Sequence, residues 1–230
     1  MPSWDELFGR GELIAAYPER PVQEFVSLLE RRFRDRPLRI WDLCCGAGRH
    51  TTAMSRRGHA VFASDASANG IALLEEGLAK LGLTAQTAVA DMTVCPWPGV
   101  RFHGVVVWDA LHHNRLLGVR TSIGVAFERL VPGGWLLATL KSVQADSSGV
   151  GDEIEPGTFV QRTGAEAGVP HHYFTETEIR DVFQAWHLDV LVERVCSYKQ
   201  RISDFRDNPF DYTAWGILAR KPGETRPQSN

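Results

Sequence analysis

Residues 40–50 read IWDLCCGAGRH, and this segment constrains the fold more than any other stretch of the chain. An apolar run ends in a turn with two glycines, Gly46 and Gly48, and a helix-compatible segment follows. Glycines let the backbone approach a ligand closely, and the first turn of a helix offers free N–H groups. The segment therefore predicts a buried strand, a ligand-binding turn and a helix, which together begin an α/β fold.

Strand and helix patterns alternate along the rest of the chain. Apolar runs predict five strands separated by helical stripes, over residues 38–44, 59–65, 84–91, 102–110 and 135–141. Two more strand patterns, 188–197 and 211–221, have no helix between them and predict a closing antiparallel hairpin. Such alternation is typical of a three-layer α/β sandwich. We therefore predict a seven-stranded, mostly parallel Rossmann-like sheet with an antiparallel last strand.

The length of 230 residues fits one domain with added segments. We predict a single domain over residues 1–220, in which residues 1–36 form an N-terminal helical lid. Residues 142–174 show no clear period, and a loop of that length in a compact domain is usually functional. We therefore interpret them as a substrate-side loop or insert. The polar residues 221–230 predict a flexible tail.

Charge and cysteine content argue against several classes of protein. A net charge of −3, from 25 basic and 28 acidic residues, gives no general electrostatic case for nucleic-acid binding. No apolar stretch suits a signal peptide or a membrane span, so we expect a cytoplasmic monomer or homodimer that binds no membrane. The four cysteines lack CxxC spacing and the histidines lack HxH or HxxxH spacing. We therefore expect reduced thiols and no metal site.

Two acidic residues limit the ligand of the glycine turn. Asp65 ends the second predicted strand, 23 residues after Asp42, where an acid accepts hydrogen bonds from ribose hydroxyls. A dinucleotide motif needs a third glycine, but position 51 is Thr51, and the Asp42 carboxylate would repel a pyrophosphate. A carboxylate there suits a ligand with an ammonium group and no phosphate. S-adenosylmethionine has this chemistry, and NAD is the alternative.

Five segments, in order over about residues 35–141, resemble motifs of class I S-adenosylmethionine-dependent methyltransferases. WDLCCGAGRHT resembles motif I, VFASDAS motif II, AVADMT the acidic segment beside the adenine, FHGVVVWDALHH the fourth-strand motif and LVPGGWLLATLKS the turn before strand 5. The resemblance implies S-adenosylmethionine as cofactor and S-adenosylhomocysteine as product. The cofactor-binding residues expected from the turn and the resemblance are Asp42, Cys44, Gly46, Ala47, Gly48, Asp65, Ala66, Asp91, Met92 and Trp108.

One residue departs from this pattern, since Cys44 stands where motif I most often has its first glycine. A Cβ is tolerated at a negative φ, so we expect Cys44 to keep a negative φ and cofactor binding to survive. The two adjacent cysteines, Cys44 and Cys45, are interpreted as small apolar side chains packed beneath the turn. A nucleophile or redox switch is the alternative, for which only Arg49 and His50 nearby would lower a thiol pKa.

The second half of the chain resembles one subgroup of these methyltransferases. The segment GDEIEPGTFVQRTGAEAGVPHHYFTETEIRDVF is similar to a bacterial subgroup of small-molecule methyltransferases related to tellurite-resistance methyltransferases. These share an E-P-x-T segment and a P-H-H-Y-F-T-x-x-E block. The resemblance implies a small, soft or anionic methyl acceptor.

The acceptor side of such a fold lies outside the carboxyl ends of the strands, near strand 4. His112 and His113 follow that strand and are candidate bases or acceptor-orienting groups, with His113 better placed. Helix capping or packing is the alternative for each. His171, His172 and Tyr173 are candidate substrate residues. Because adjacent residues of an extended segment point to opposite sides, at most one of this histidine pair should enter the site.

The N-terminal segment adds one further candidate. Trp4 and Phe8 lie at helical spacing, so the pair either covers the ligand as a lid, with Trp4 near the substrate, or packs on the next helix. The predicted activity is in-line transfer of a methyl group to a small-molecule acceptor. The alternatives are an RNA-modifying methyltransferase, because DALHH and LVPGG also resemble tRNA wobble-uridine enzymes, and a catalytically silent cofactor-binding partner subunit.

Overall fold

The computed structural model describes residues 4–11, 17–34, 37–164, 166–197 and 211–223. These residues form six helices and ten strands. The helices are α1 Trp4–Gly9, α2 Arg20–Arg32, α3 Arg49–Arg56, α4 Ala68–Lys80, α5 Leu116–Arg129 and α6 Glu176–Val182. The strands are β1 Arg39–Leu43, β2 Ala60–Asp65, β3 Gln86–Val89, β4 Phe102–Val107, β5 Leu130–Ser142, β6 Asp152–Glu155, β7 Thr158–Val160, β8 Pro170–Phe174, β9 His187–Ser197 and β10 Asp211–Arg220.

Seven of these strands form the predicted sheet, in the order β3, β2, β1, β4, β5, β10, β9. The pairs from β3 through β5 are parallel, whereas β10 runs antiparallel to both β5 and β9. Helices flank this sheet, so the Rossmann-like architecture and its reversed last strand are confirmed. The described sheet has ten strands in all, three more than the seven predicted.

The three additional strands lie in the segment that showed no sequence period. β6, β7 and β8 form a small antiparallel unit, and the end of β8 pairs in parallel with the end of β5. The indole Nε1 of Trp215 donates to the carbonyl of Phe174, 3.0 Å away, and so fixes β8 to β10. These strands have only three to five residues, too few to show a reliable alternation of apolar and polar side chains.

The core lies on both faces of the sheet. One apolar cluster joins the sheet to α5 and α6, and another joins β1 and β4 to α2 through Phe25 and Leu29. The six residues of β4 are all buried, as expected for a strand covered on both faces. Local capping agrees with the sequence, since the hydroxyl oxygen of Ser67 accepts from Gly70 N–H and that of Thr175 accepts from Glu178 N–H.

The predicted lid and tail lie partly outside the described residues, which omit 1–3, 12–16, 35–36 and 224–230. Within the predicted lid, α1 packs against α4, whereas α2 buries its apolar face in the core beside β4 and β5. α2 is therefore a layer of the sandwich. Among the helices of the described ranges, none combines the length and apolar character needed to cross a membrane.

Candidate active site

The sheet order reverses between β1 and β4, and their carboxyl ends therefore form a crevice of the kind that holds ligands in open α/β sheets. Cys44 follows β1 with a φ of 58°, and Asp109 follows β4 with a φ of 54°. Among the described residues these two are the only non-glycine residues with positive φ. Left-handed backbone costs about 1–2 kcal/mol at a residue with a Cβ, and such strain is concentrated at functional sites.

The backbone of Cys44 corrects one expectation, because its φ is positive and the predicted negative φ was wrong. The turn is held directly after this residue, through two backbone N–H groups. Cys45 N–H donates to the carbonyl of Ser64 at 3.0 Å, and Gly46 N–H donates to Asp65 Oδ2 at 2.8 Å. These bonds fix the path of the chain from β1 into the turn, so the turn dictates a left-handed residue whichever side chain stands there.

The two glycines of the turn are required by close packing as well as by conformation. A Cβ at Gly48, where φ is 81°, would lie 2.1 Å from Leu74 Cδ1. A Cβ at Gly46, where φ is 52°, would lie 2.9 Å from Phe8 Cζ. Gly48 is the N-cap of α3, and Ala47 lines a groove with Arg49 on the side of α2 and α3. The turn is thus fitted between α4 and α1.

Asp65 ties the turn to the start of α4. Its Oδ2 accepts from Gly46 N–H and its Oδ1 accepts from Ser67 N–H, at 2.8 and 2.9 Å. Burial raises the pKa of Asp65, and the backbone hydrogen bonds oppose that shift. The exposed residue Ala66 lies between these contacts. The arrangement suits both interpretations of Asp65, as an acceptor for ribose hydroxyls and as a cap for α4, so its contact with ribose stays a prediction.

Asp42 lies beneath the turn. Its side chain is buried, and its Oδ2 accepts a hydrogen bond from Thr51 Oγ1 at 2.5 Å. Burial raises the pKa of Asp42 to about 6, although the hydrogen bonds from Thr51 and the charge of Arg49 lower it. The carboxyl is thus held against the first turn of α3, and its attraction for a ligand ammonium stays a prediction.

The remaining predicted cofactor residues lie at the ends of β3 and β4. Asp91 is exposed, and its Oδ1 accepts from the backbone N–H of Thr93 at 2.8 Å. Met92 is partly buried against the cluster that includes α5, and Trp108 against the cluster that includes α2. All three therefore lie at the same edge of the sheet as the glycine turn.

The thiols of Cys44 and Cys45 are suited to packing. Cys45 is buried, and Cys44 is partly buried against the large core cluster. Burial raises the pKa of both thiols, and the neighbouring Asp42 and Asp65 raise it further. A thiol nucleophile needs the opposite environment, which lowers the pKa. The structure therefore favours the packing interpretation.

His113 lies at the centre of the acceptor side. Its ring centroid is 4.7 Å from Trp4, 4.1 Å from His112 and 4.8 Å from His171. Its Nε2 is 3.6 Å from Glu166 Oε1. Burial lowers the pKa of His113 to about 3, and the nearby Glu166 carboxylate opposes that shift. The ring is therefore neutral at pH 7 and can accept a proton, but so low a pKa makes it a weak base, better suited to orienting an acceptor.

His112 is more deeply placed than His113. Its side chain is buried, and burial lowers its pKa well below the usual value. Its Nδ1 has no hydrogen-bond partner within the described ranges. Its carbonyl accepts from His172 N–H at 2.9 Å, so the backbone at this position docks β8 beside the end of β4.

The adjacent histidines of β8 face opposite sides, as an extended segment requires. His171 Nε2 lies 2.8 Å from Glu166 Oε2, on the same side as His113. His172 Nδ1 lies 2.6 Å from Thr158 Oγ1, and its Nε2 lies 3.2 Å from Glu178 Oε2. His171 therefore lies on the side of His113, and His172 lies on the side of Thr158 and Glu178.

The E-P-x-T segment belongs to that support. Glu155 Oε1 accepts from Leu116 N–H at 2.7 Å and from Thr158 Oγ1 at 2.9 Å. The Glu155 side chain thus joins the small strand unit to the start of α5. The predicted substrate residue Tyr173 is buried beside this unit, with Lys141 Nζ 5.9 Å from its ring centroid.

Sequence reasoning missed two charged residues of the pocket, Glu166 and Lys141. Lys141 Nζ lies 3.9 Å from Glu166 Oε2. Burial raises the pKa of Glu166, but the hydrogen bond from His171 and the charges of His113 and Lys141 outweigh it and bring the pKa to about 2. Burial lowers the pKa of Lys141. The position of Lys141 at the carboxyl end of β5 could have indicated a pocket residue. Glu166 lies in an irregular segment, where the sequence carries no comparable signal.

α1 contacts both the glycine turn and His113. Asp5 Oδ1 accepts from Asn69 N–H at 2.7 Å and from Ser67 Oγ at 2.8 Å, which holds α1 on the start of α4. Phe8 packs on Gly46 of the turn, and Trp4 packs on His113. The pair therefore packs over the site, and its packing partners are the turn, α4 and His113.

Residues 40–134 match the methyltransferase domain family. The chain contains a methyltransferase domain. Its fold is the class I Rossmann-like fold, and the enzyme is an S-adenosylmethionine-dependent methyltransferase. S-adenosylmethionine is accordingly its cofactor, as the glycine turn predicted. The NAD alternative is therefore wrong.

Solved structures resemble this methyltransferase over most of its length. TehB from Haemophilus influenzae is 20% identical with a TM-score of 0.68, covering 95% of this chain and 67% of that chain. An S-adenosylmethionine-dependent methyltransferase from Clostridium acetobutylicum is 14% identical with a TM-score of 0.67, covering 95% and 96%. The 1,6-didemethyltoxoflavin-N1-methyltransferase of Burkholderia thailandensis is 17% identical with a TM-score of 0.62, covering 88% and 77%. No curated protein matches the chain.

Proposed function

We propose that the enzyme transfers the methyl group of S-adenosylmethionine to a small-molecule acceptor bound beside His113. The observation that carries this proposal is the convergence of Trp4, His113, His171 and Lys141 at the carboxyl ends of β4 and β5. The side chains of His113 and Lys141 are only 10% and 13% exposed. So enclosed a site suits a small molecule better than a base presented on a nucleic-acid chain.

The reaction is an in-line displacement. A lone pair of the acceptor attacks the methyl carbon, the carbon–sulfur bond breaks with its electron pair going to sulfur, and S-adenosylhomocysteine leaves. An acceptor that enters protonated gives its proton to water. Alignment supplies most of the rate in such a step, so the protein must fix the acceptor opposite the methyl group and exclude water. In this proposal Trp4 and the neutral ring of His113 do both.

The pocket chemistry favours an anionic or soft acceptor. Lys141 supplies a cation that attracts an anionic acceptor, and the uncharged ring of His113 adds no negative charge to oppose it. One solved neighbour is consistent with a small molecule, a methyltransferase whose structure contains 1,6-didemethyltoxoflavin and S-adenosylhomocysteine. The net charge of −3 gives no support to the RNA alternative.

Methyl-labelled S-adenosylmethionine tests this proposal. The purified enzyme is incubated separately with a desalted small-molecule extract and with total RNA, and we expect label in the small-molecule fraction alone. His113→Ala should lower the transfer rate about tenfold to a hundredfold through loss of alignment, with S-adenosylhomocysteine affinity unchanged. His187→Ala, at a side chain that is 59% exposed, is the matched control and should transfer normally. Label in RNA, or full activity in His113→Ala, would contradict the proposal.

A further inference from the structure

Three side chains of the acceptor pocket form a ligand set that no sequence motif indicated. One ligand atom each from His113, Glu166 and His171 lies within 4.8 Å of the other two. Glu166 Oε2 is 2.8 Å from His171 Nε2, and Glu166 Oε1 is 3.6 Å from His113 Nε2. The ligands come from the segment after β4 and the segment leading into β8. Because folding brings these segments together, ligand spacing along the sequence could not reveal the cluster.

The two ring nitrogens of His171 face different partners, and the partner of Nδ1 determines where the hydrogen of the neutral ring lies. His171 Nδ1 lies 3.0 Å from the carbonyl oxygen of Val169. A carbonyl only accepts hydrogen bonds, so Nδ1 carries a hydrogen. In the neutral ring Nε2 then has no hydrogen and points its lone pair at the Glu166 carboxylate. Two acceptors in contact need a cation between them, which is either a proton on Nε2 or a metal ion.

A metal ion accounts for more of the cluster than a proton does. Metal-binding histidines usually donate their second ring N–H to a carbonyl or carboxylate, as His171 does to Val169. Two imidazoles and one carboxylate form a common donor set for divalent transition metals. Tetrahedral zinc with bonds of about 2.0–2.1 Å places its ligand atoms roughly 3.3 Å apart. The separations are 2.8 Å from Glu166 Oε2 to His171 Nε2 and 3.6 Å from Glu166 Oε1 to His113 Nε2. They lie on either side of that value, and each carboxylate oxygen faces one imidazole.

We propose that His113, Glu166 and His171 bind a divalent transition-metal ion of the zinc class. The side chains of His171 and His113 are 0% and 10% exposed, whereas Glu166 is 30% exposed and leaves a path for the ion. Three protein ligands leave an open coordination position, as in catalytic zinc sites.

The position of the metal site beside the proposed acceptor space indicates which class of substrate the enzyme takes. This inference rests on the proposed function. The His113 ring packs against Trp4, so the metal site adjoins the space assigned to the acceptor. The open position would hold the acceptor through a deprotonated oxygen, nitrogen or sulfur atom. The acceptor class is therefore a small metal-coordinating molecule.

One neighbouring charge opposes the ion. The ammonium of Lys141 lies 3.9 Å from Glu166 Oε2 and competes for the same carboxylate. Replacing it by Lys141→Met, which keeps a long apolar side chain, should tighten metal binding. A plain ion pair among Lys141, Glu166 and a protonated His171 predicts no metal binding with or without that lysine.

The test measures metal on the chelator-stripped full-length enzyme, using Zn²⁺ in competition with a chromogenic chelator and Co²⁺ absorption. We expect one ion per chain, at least tenfold weaker binding in Glu166→Gln and in His171→Gln, and tighter binding in Lys141→Met. His187→Ala is the control and should bind as the wild type does, because its side chain lies on the exposed surface.

Two outcomes would overturn the inference. One is wild-type affinity no greater than that of Glu166→Gln, and the other is a cobalt spectrum dominated by thiolate charge transfer, which would place the ion on the cysteines. S-adenosylhomocysteine binding is measured on the same stripped samples. If it persists while zinc binding fails, the metal site alone is refuted, whereas label transferred to RNA in the methyl-transfer assay would refute the proposed acceptor class.

Discussion

Asp42 links stability to pH at the scale of a single residue. Its pKa is raised from 3.8 to about 6 by burial. Between these two values the folded state binds more protons than the unfolded state, so this residue makes stability fall as pH rises from about 4 to about 6. Above pH 6 the full penalty is present. A shift of this size corresponds to about 3 kcal/mol.

Asp42→Asn should remove that penalty. We expect the variant to gain up to about 3 kcal/mol in free energy of unfolding at pH 7.5, with the gain shrinking toward zero near pH 4. Urea denaturation at both pH values measures the difference. A gain independent of pH would contradict the assigned cause.

The backbone conformation of Cys44 could not be predicted from the residue type alone. A cysteine favours negative φ, so the sequence predicted that backbone at this position. The structure has a φ of 58°, because the neighbouring N–H groups are held by Ser64 and Asp65 of another strand. The preference of one residue is worth about 1–2 kcal/mol and yields to several hydrogen bonds.

At the scale of elements, the position of α1 depends on the hydrogen bonds of one carboxylate, because the helix is too short to be stable alone. The helix has six residues, too few for stability in isolation. Asp5 supplies the attachment through its hydrogen bonds to Ser67 and Asn69. If α1 undocks, Phe8 leaves the glycine turn and water reaches the cofactor site.

Asp5→Ala should therefore weaken S-adenosylhomocysteine binding about tenfold, because the hydrogen bonds that hold α1 on the start of α4 are lost. Isothermal titration calorimetry measures the affinity. Arg10→Ala changes an exposed side chain directly after the same helix and should bind within about twofold of the wild type. Equal affinities for Asp5→Ala and the wild type would show that α1 does not cover the site.

Elements with strong local signals could be predicted from the sequence. The parallel strands are apolar runs, and the Ser67 and Thr175 caps carry their own hydrogen-bonding side chains. β6, β7 and β8 could not be predicted, because their pairing and the docking through Trp215 determine them. Most predicted cofactor residues directly follow these apolar strands, so recognising the strands also located the residues at the expected edge of the sheet.

Across the whole molecule, the acceptor pocket was predicted only in part. His113 and His171 were candidates because of their residue type and position. Their meeting with Glu166 and Lys141 depends on β8 pairing with the end of β5, a contact between distant segments. Sheet order also places the glycine turn next to this pocket, since β1 and β4 are neighbours. The chemistry thus follows from topology more than from any local motif.

The most direct test of the central claim is calorimetric titration of S-adenosylhomocysteine into the wild type, Asp65→Ala and Asp65→Asn, with thermal melts to verify folding. Asp65 links the turn to α4 and is the predicted ribose ligand. We expect saturable one-site binding to the wild type, at least about thirtyfold weaker binding to Asp65→Ala, and an intermediate loss in Asp65→Asn, which keeps one acceptor oxygen. No binding to the wild type, or unchanged affinity in folded Asp65→Ala, would contradict the account.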